Sequence, residues 1–224
     1  MNLRFWLFPT LLSAFVCAAP CAQAQTRVGE AVVIQNDVVR VATTTTPINV
    51  GDSMLRDETV RTGADSAARF VMADSTNLSL GPSATLKLDR TVFNDEHSYR
   101  DVAIRMTTGA FRFVTGHSEK TAYKITTPLA TIGVRGTTLD ILSQRGRSVV
   151  VLQDGAASVC TTSSQCVQLT QPGDTAIITS AGGKVSITKT NTPASAGLCS
   201  VNQYADASPT ITPAVHDDGM LCGR

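Results

Sequence analysis

The stretch "TPLATIGVRGTTLDI", Thr127 to Ile141, sets two glycines three residues apart, an arginine among apolar neighbours, and β-branched residues on both sides. Glycines so placed can grip a ligand, because they let a backbone approach closely, or they can turn a corner in a sheet. Thr127 and Thr131 suit strand edges, and Pro128 starts a segment that cannot donate at its nitrogen. Gly133 and Gly136 supply positive φ or room for a close backbone. Arg135 among apolar side chains needs a partner, and Asp140 or a set of backbone carbonyls would be a natural fork acceptor. The stretch therefore reads as a structural corner in which Arg135 ties adjacent strands. Its other use would be a ligand or partner contact through Arg135 and Thr137.

Working outward, apolar pairs at i and i+2 recur every eight residues: Phe70 and Met72, Leu78 and Leu80, Leu86 and Leu88. Turn residues separate them, "ADSTN" after the first pair and "GPS" after the second. Each unit is a short strand with one apolar face that it cannot bury alone, so successive units must pair or stack. The series continues with Val102 and Ile104, Phe111 and Phe113, Tyr123 and Ile125, Leu139 and Ile141, Val149 and Val151. Upstream, "EAVVIQNDVVRVA" alternates around a turn at Asn36–Asp37. A helical period appears only weakly, over Asp57 to Met72. The expected fold is all-β: one domain of short stacked strands, either elongated and solenoid-like or sandwich-like.

Residues 1–24 read as a signal peptide, with Arg4 ahead of an apolar run from Phe5 to Ala19 and an A-x-A site at Ala22–Ala24. Export to the periplasm or beyond is the expected localisation, with no membrane span after cleavage. The β domain is expected over 25–189, followed by a Pro/Ala/Ser-rich tail over 190–224. Without the leader, 18 basic residues (19 minus Arg4) balance 18 acidic ones. A neutral chain offers no general field for nucleic acid or anionic membrane. Four cysteines remain, and their even number in an exported chain points to disulfides. Cys160 and Cys166 flank the polar loop "TTSSQ", which favours Cys160–Cys166 and Cys199–Cys222. Each closure would contribute roughly 2–3 kcal/mol. Their spacing is not zinc-like, and neither a metal nor a cofactor is expected.

Three local motifs test other chemistry. "GDSML", Gly51 to Leu55, resembles a GDSL esterase block with Ser53 as nucleophile, but the late Asp-x-x-His pair is missing because Pro213 stands three before His216. "IGVRG" matches the glycine loop of nucleic-acid-clamping KH domains, yet strand-forming residues follow it where a helix would be needed. "HDDG", His216 to Gly219, offers adjacent metal-ligating residues that cannot all face one ion. His97 and His117 sit in polar clusters with no partnered nucleophile. An enzyme is not expected.

The opening stretch resembles the signature of the FecR-like domain, Thr-Pro-x-Ala-x-Ile-Gly-Val-Arg-Gly-Thr, at Thr127, Pro128, Ala130, Ile132, Gly133, Val134, Arg135, Gly136 and Thr137. Gly51 to Leu88 is similar to that family's Gly-Asp, Val-Arg-Thr-Gly and Leu-x-Leu-Gly series, and "QPGDTAII" to its closing strand. The founding members are sensors for ferric-siderophore signalling, with an anti-sigma segment, a membrane span, the periplasmic FecR-like domain and a receptor-contacting domain. The resemblance implies a stand-alone exported FecR-domain protein with an envelope protein partner. A structural or glycan-binding envelope protein is the alternative. Few aromatic residues are available to stack on sugars: Tyr99, Tyr123 and Tyr204 are the tyrosines, and Trp6 falls in the leader.

Overall fold

The computed structural model describes residues 26–95, 98–119 and 122–191. The expected leader and the tail cysteines Cys199 and Cys222 lie outside the described residues. The chain forms β1 (Arg27–Gln35), β2 (Val38–Val41), β3 (Thr45–Pro47), β4 (Ser53–Leu55), β5 (Thr59–Thr62), β6 (Ala67–Met72), β7 (Asn77–Leu80) and β8 (Thr85–Asp95). It continues with β9 (Ser98–Val114), β10 (Tyr123–Thr126), β11 (Ala130–Gln144), β12 (Arg147–Thr161), β13 (Cys166–Leu169), β14 (Thr175–Ala181) and β15 (Lys184–Thr190). No helix occurs among the described residues. The weak helical period over 57–72 forms β5 and β6 instead.

These strands are hydrogen-bonded into one sheet of fifteen strands that doubles back on itself. One layer runs β3-β2-β5-β8-β9-β10-β11-β12-β13, and the other β4-β1-β6-β7-β9-β11-β12-β14-β15. The long strands β9, β11 and β12 belong to both. The first part of β9 pairs with β8 and β10, whereas Phe111 to Val114 pairs with β7. In the same way Thr131 to Gly133 of β11 pairs with β10, and Thr138 to Ser143 pairs with β9 in the other layer.

Crossing between layers demands a sharp bend, and glycine supplies it. In β11 the bend lies at Gly136, φ +60°, where the register with β12 shifts between Arg135 and Thr138. Opposite it, Gly155 of β12 has φ +83°, and any Cβ there would collide with the Gly136 carbonyl oxygen. Thr137 locks the bulge. Its hydroxyl donates to the Ala156 carbonyl at 2.7 Å and accepts from the Arg135 amide at 2.9 Å.

Both layers feed one core. Leu86, Leu88, Ile104, Met106 and Ile125 come from the first layer, Phe70, Leu78, Leu80, Phe111 and Phe113 from the second, and all are fully buried. The i, i+2 pairs of the sequence are thus inward faces, with one correction. On β12 the core pair is Val150 and Leu152. Val149 and Val151 are also buried, so both faces of β12 read as apolar and alternation could not choose between them.

Polar pins join the layers where they would otherwise part. Tyr123 of β10 lies edge-on to Phe113, centroids 5.1 Å apart, and donates its hydroxyl to Asp74 at 2.6 Å in the β6–β7 turn. Asp74 also accepts from the amide and hydroxyl of Thr76, both at 3.0 Å. Tyr99 donates to the Val28 carbonyl and accepts from the Ala73 amide. Burial pushes its hydroxyl pKa up to about 12 and raises that of Tyr123 further, so both stay protonated donors. At another junction Arg40 of β2 donates to the Ser53 carbonyl at 2.8 Å and lies 3.0 Å from Glu58.

Two outcomes follow from this geometry. Gly155→Ala places a side chain at positive φ against a backbone carbonyl and should cost about 2 kcal/mol or more, read by chemical denaturation. Retention of wild-type stability would contradict the crossing. Glu58 has its pKa raised above 4.5 because burial outweighs the pull of Arg40. A raised acid favours the fold below its unfolded pKa, and that contribution is lost as pH rises through the folded pKa. The melting temperature of Glu58→Gln minus that of the wild type should therefore increase from pH below 4.5 to neutral; a flat or falling difference would count against it.

Candidate functional site

The signature stretch starts in a tight turn. The Thr127 amide donates to the Ala130 carbonyl at 2.8 Å, and the Thr127 hydroxyl accepts from the Ala130 amide at 3.1 Å and from Ser148 Oγ at 3.1 Å. Pro128 occupies the first central position of this turn, where its fixed φ is suited and no amide is needed. Along β11, Ile132 and Val134 then enter the core, so Thr131, Gly133 and Arg135 point to the outer face of the first layer.

Three expectations change here. Arg135 is exposed and does not tie strands; among the described residues it has no acid partner. Asp140 belongs instead to Arg112 of β9, which grips it through Nε and Nη2, both at 2.7 Å, while Gln153 donates a further bond at 2.8 Å. Residues 112 and 140 face each other in the β9–β11 register, whereas 135 lies beyond the bend. Gly133, for its part, has neither positive φ nor a close backbone: a Cβ there would meet nothing within 4 Å. The fold does not require glycine at 133. At Gly136 it does. Thr137 is 3 % exposed and its hydroxyl is spent on the bulge, so it offers a partner no free group.

Gly133 forms the middle of a flat polar field. The register places it opposite Lys124 of β10 on one side and Ser158 of β12 on the other, with Ala103 beyond Lys124 and Gln168 beyond Ser158. Gln168 donates to Ser158 Oγ at 2.9 Å. The neighbouring row is Arg105, Thr126, Thr131 and the disulfide Cys160–Cys166, whose pairing agrees with the sequence reading. Lys124 is exposed and, among the described residues, free of an acid partner. Arg105 is held by Asp89 through two contacts at 2.7 Å, and Lys87 also reaches Asp89 at 3.0 Å. Sequence reading missed Lys124 and Arg105. Their signal was alternation: Lys124 lies between the paired Tyr123 and Ile125, and Arg105 is the next outward position after Ile104.

Among the described residues the other motifs are not brought together. Ser53 opens β4 after a turn in which Gly51 has φ +89° and the Asn49 amide bonds Asp52 at 2.8 Å. His216 and the "HDDG" segment lie outside the described residues, as does His97. Ile132 to Gly136 is strand, not the interhelical loop of a KH domain. Among the described residues no three His, Cys, Asp or Glu side chains are grouped to hold a metal ion. An open groove between the β12–β13 turn and the β14–β15 hairpin is lined by Thr162, Ser163, Gln165, Lys184 and Val185, without an acid or a histidine.

An all-β domain folded over itself by three shared strands, with the glycine-bearing signature at the fold line, is the class defined here. Residues 58–158 match the FecR protein family, and this segment is a FecR domain. Strands on either side of the match pair into the same layers, β1 onto β6 and β14 onto β12. Two crystal structures of a candidate anti-sigma factor from Parabacteroides distasonis ATCC 8503, at 2.50 and 1.65 Å resolution, share the fold. Each is 16 % identical with a TM-score of 0.50 over 60 % of this chain. The chain spans 59 % of the length of those structures. No curated protein matches it.

Asp140→Ala would strand the Arg112 guanidinium and should cost about 3 kcal/mol or more, whereas Arg135→Ala should stay within about 0.5 kcal/mol of wild type. Denaturation of the two variants side by side checks the reassignment; equal losses would restore Arg135 as a structural tie.

Proposed function

We propose that this chain is a non-catalytic, periplasmic FecR-domain protein that acts as a protein-interaction or signal-sensing module of the bacterial envelope. The FecR match over 58–158 carries the reading, and the resemblance to FecR-type sensors implies a protein partner. What the fold adds is economy of side chains. Tyr99, Tyr123, Asp74, Arg112 and Asp140 all pair within the protein, leaving an exposed polar sheet face as the part free to recognise another molecule. Recognition by such a face needs shape and charge and no reactive group. A link to iron or cell-surface signalling is part of this proposal, on the resemblance to the founding FecR sensors alone.

A glycan-binding role gains no support from the sheet faces. Tyr99 and Tyr123, the aromatic side chains best suited to a sugar, are buried in the interlayer pins.

Photo-crosslinking in the native envelope tests the proposal. A photoreactive residue at Thr131, on the outer face of the first layer, should give a discrete adduct with a membrane-bound sensor or an outer-membrane receptor. One at Thr179, on the second layer, serves as the comparison. Adducts with peptidoglycan or polysaccharide alone, or none from either position, would reject the module.

A further inference from the structure

We infer that the outer face of the first layer around Gly133 docks an extended acidic protein segment, one that carries two carboxylates at alternate residues. The inference rests on the reading of the chain as a partner-binding module and gives that partner its chemistry.

Three observations converge on one spot. Lys124 and Arg135 are exposed cations without an acid partner among the described residues, whereas the nearby face cations Arg105 and Lys87 are already paired with Asp89. Lys124 lies directly opposite Gly133, and Arg135 is two residues further along the strand, one strand across. Such a diagonal separates the side-chain bases by roughly 7–8 Å in an antiparallel pair. Alternate residues of an extended chain are about 6.6 Å apart, at roughly 3.3 Å per residue, and point to the same side. A carboxylate at each of two alternate positions therefore meets one cation each, and the Arg135 fork can take its partner through two hydrogen bonds.

Gly133 is the third observation. Its backbone is ordinary extended strand, with nothing within 4 Å of where a Cβ would stand. A β-branched residue would suit the strand better. Absence of a side chain there leaves the floor between the two cations bare, and the residue between the two acids can lie against it.

An acidic peptide fits this face better than a polyanion does. Lys87 and Arg105, the neighbouring cations, are already engaged by Asp89, so the face presents two free cations at one spot and no extended basic field for a membrane or nucleic-acid backbone. A segment with two placed acids matches that local pattern.

The test uses the full mature protein and a β-branched peptide of about nine residues with Asp at two alternate central positions, followed by fluorescence anisotropy at low salt. Wild type should bind it, and the Asp→Asn peptide should not. Lys124→Glu with Arg135→Glu should weaken binding about tenfold or more, and so should Gly133→Val, whose melting temperature should stay at the wild-type value. Arg61→Glu, an exposed cation elsewhere on the same face, should leave binding unchanged. Failure of wild type to bind the diacidic peptide overturns the inference, as does equal binding of the Asn peptide, an equal loss in Arg61→Glu, or preferential capture of anionic vesicles or a DNA oligonucleotide. Peptide failure together with a retained protein adduct from Thr131 rejects only the acidic partner. Absence of a protein adduct from both Thr131 and Thr179 rejects the module itself.

Discussion

The crossing of Gly136 over Gly155 is the contact on which the two layers depend. Strands β11 and β12 pair antiparallel across both layers, from Ala130↔Thr161 to Gln144↔Arg147, broken only by the bulge at Gly136. A pair of that length must twist, and here it also has to fold over a core. The bend brings the Gly136 carbonyl against the Gly155 Cα, so a side chain is excluded at 155, while 136 calls for glycine through its positive φ. Every other element is placed relative to that line. β13 and β10 dock on one side of it, β14 and the second half of β9 on the other.

A sheet folded in this way faces a particular hazard: two apolar faces pressed together can slide. Directional bonds between the layers oppose sliding, and they cluster away from the fold line. Tyr99 reaches Val28 and Ala73 across the core, and Tyr123 reaches Asp74. The Gly116 amide donates to Thr76 at 2.8 Å, which holds the chain leaving β9 against the same turn. At the far edge Lys189 of β15 bonds the Gln168 carbonyl of β13 at 2.8 Å and pairs with Asp174 at 2.7 Å. The apolar core supplies the bulk of the stabilisation, whereas these bonds choose one alignment among many of similar burial.

Much of this was legible in the sequence because a half-buried strand repeats with period two. The pairs from Phe70–Met72 to Leu139–Ile141 mark inward faces, and "TTSSQ" between two cysteines marks a closed turn. What could not be read is whatever depends on which strands become neighbours. Arg112 and Asp140 are 28 residues apart, and only the β9–β11 register sets them side by side. Asp140 seemed available to Arg135 because the two are near in sequence, yet the bend at Gly136 separates their surroundings. Gly155 was invisible for the same reason: "DGA" looks like any turn until a second glycine is found opposite it. Period two also fails on β12, where both faces are covered.

Gly133 shows where a family signature stops being architecture. Its two glycines look equivalent in the sequence, and one physical account seemed to serve both. In the fold they differ: Gly136 satisfies a backbone demand, and Gly133 satisfies none that the chain makes on itself. The same division separates Thr137, buried in the bulge, from Arg135, which stands in solvent two residues before it. Residues that the fold consumes are thus interleaved with residues that it leaves over. In a domain whose buried polar groups are committed to holding two layers together, those left over mark the surface on which selection for binding can act without cost to the core.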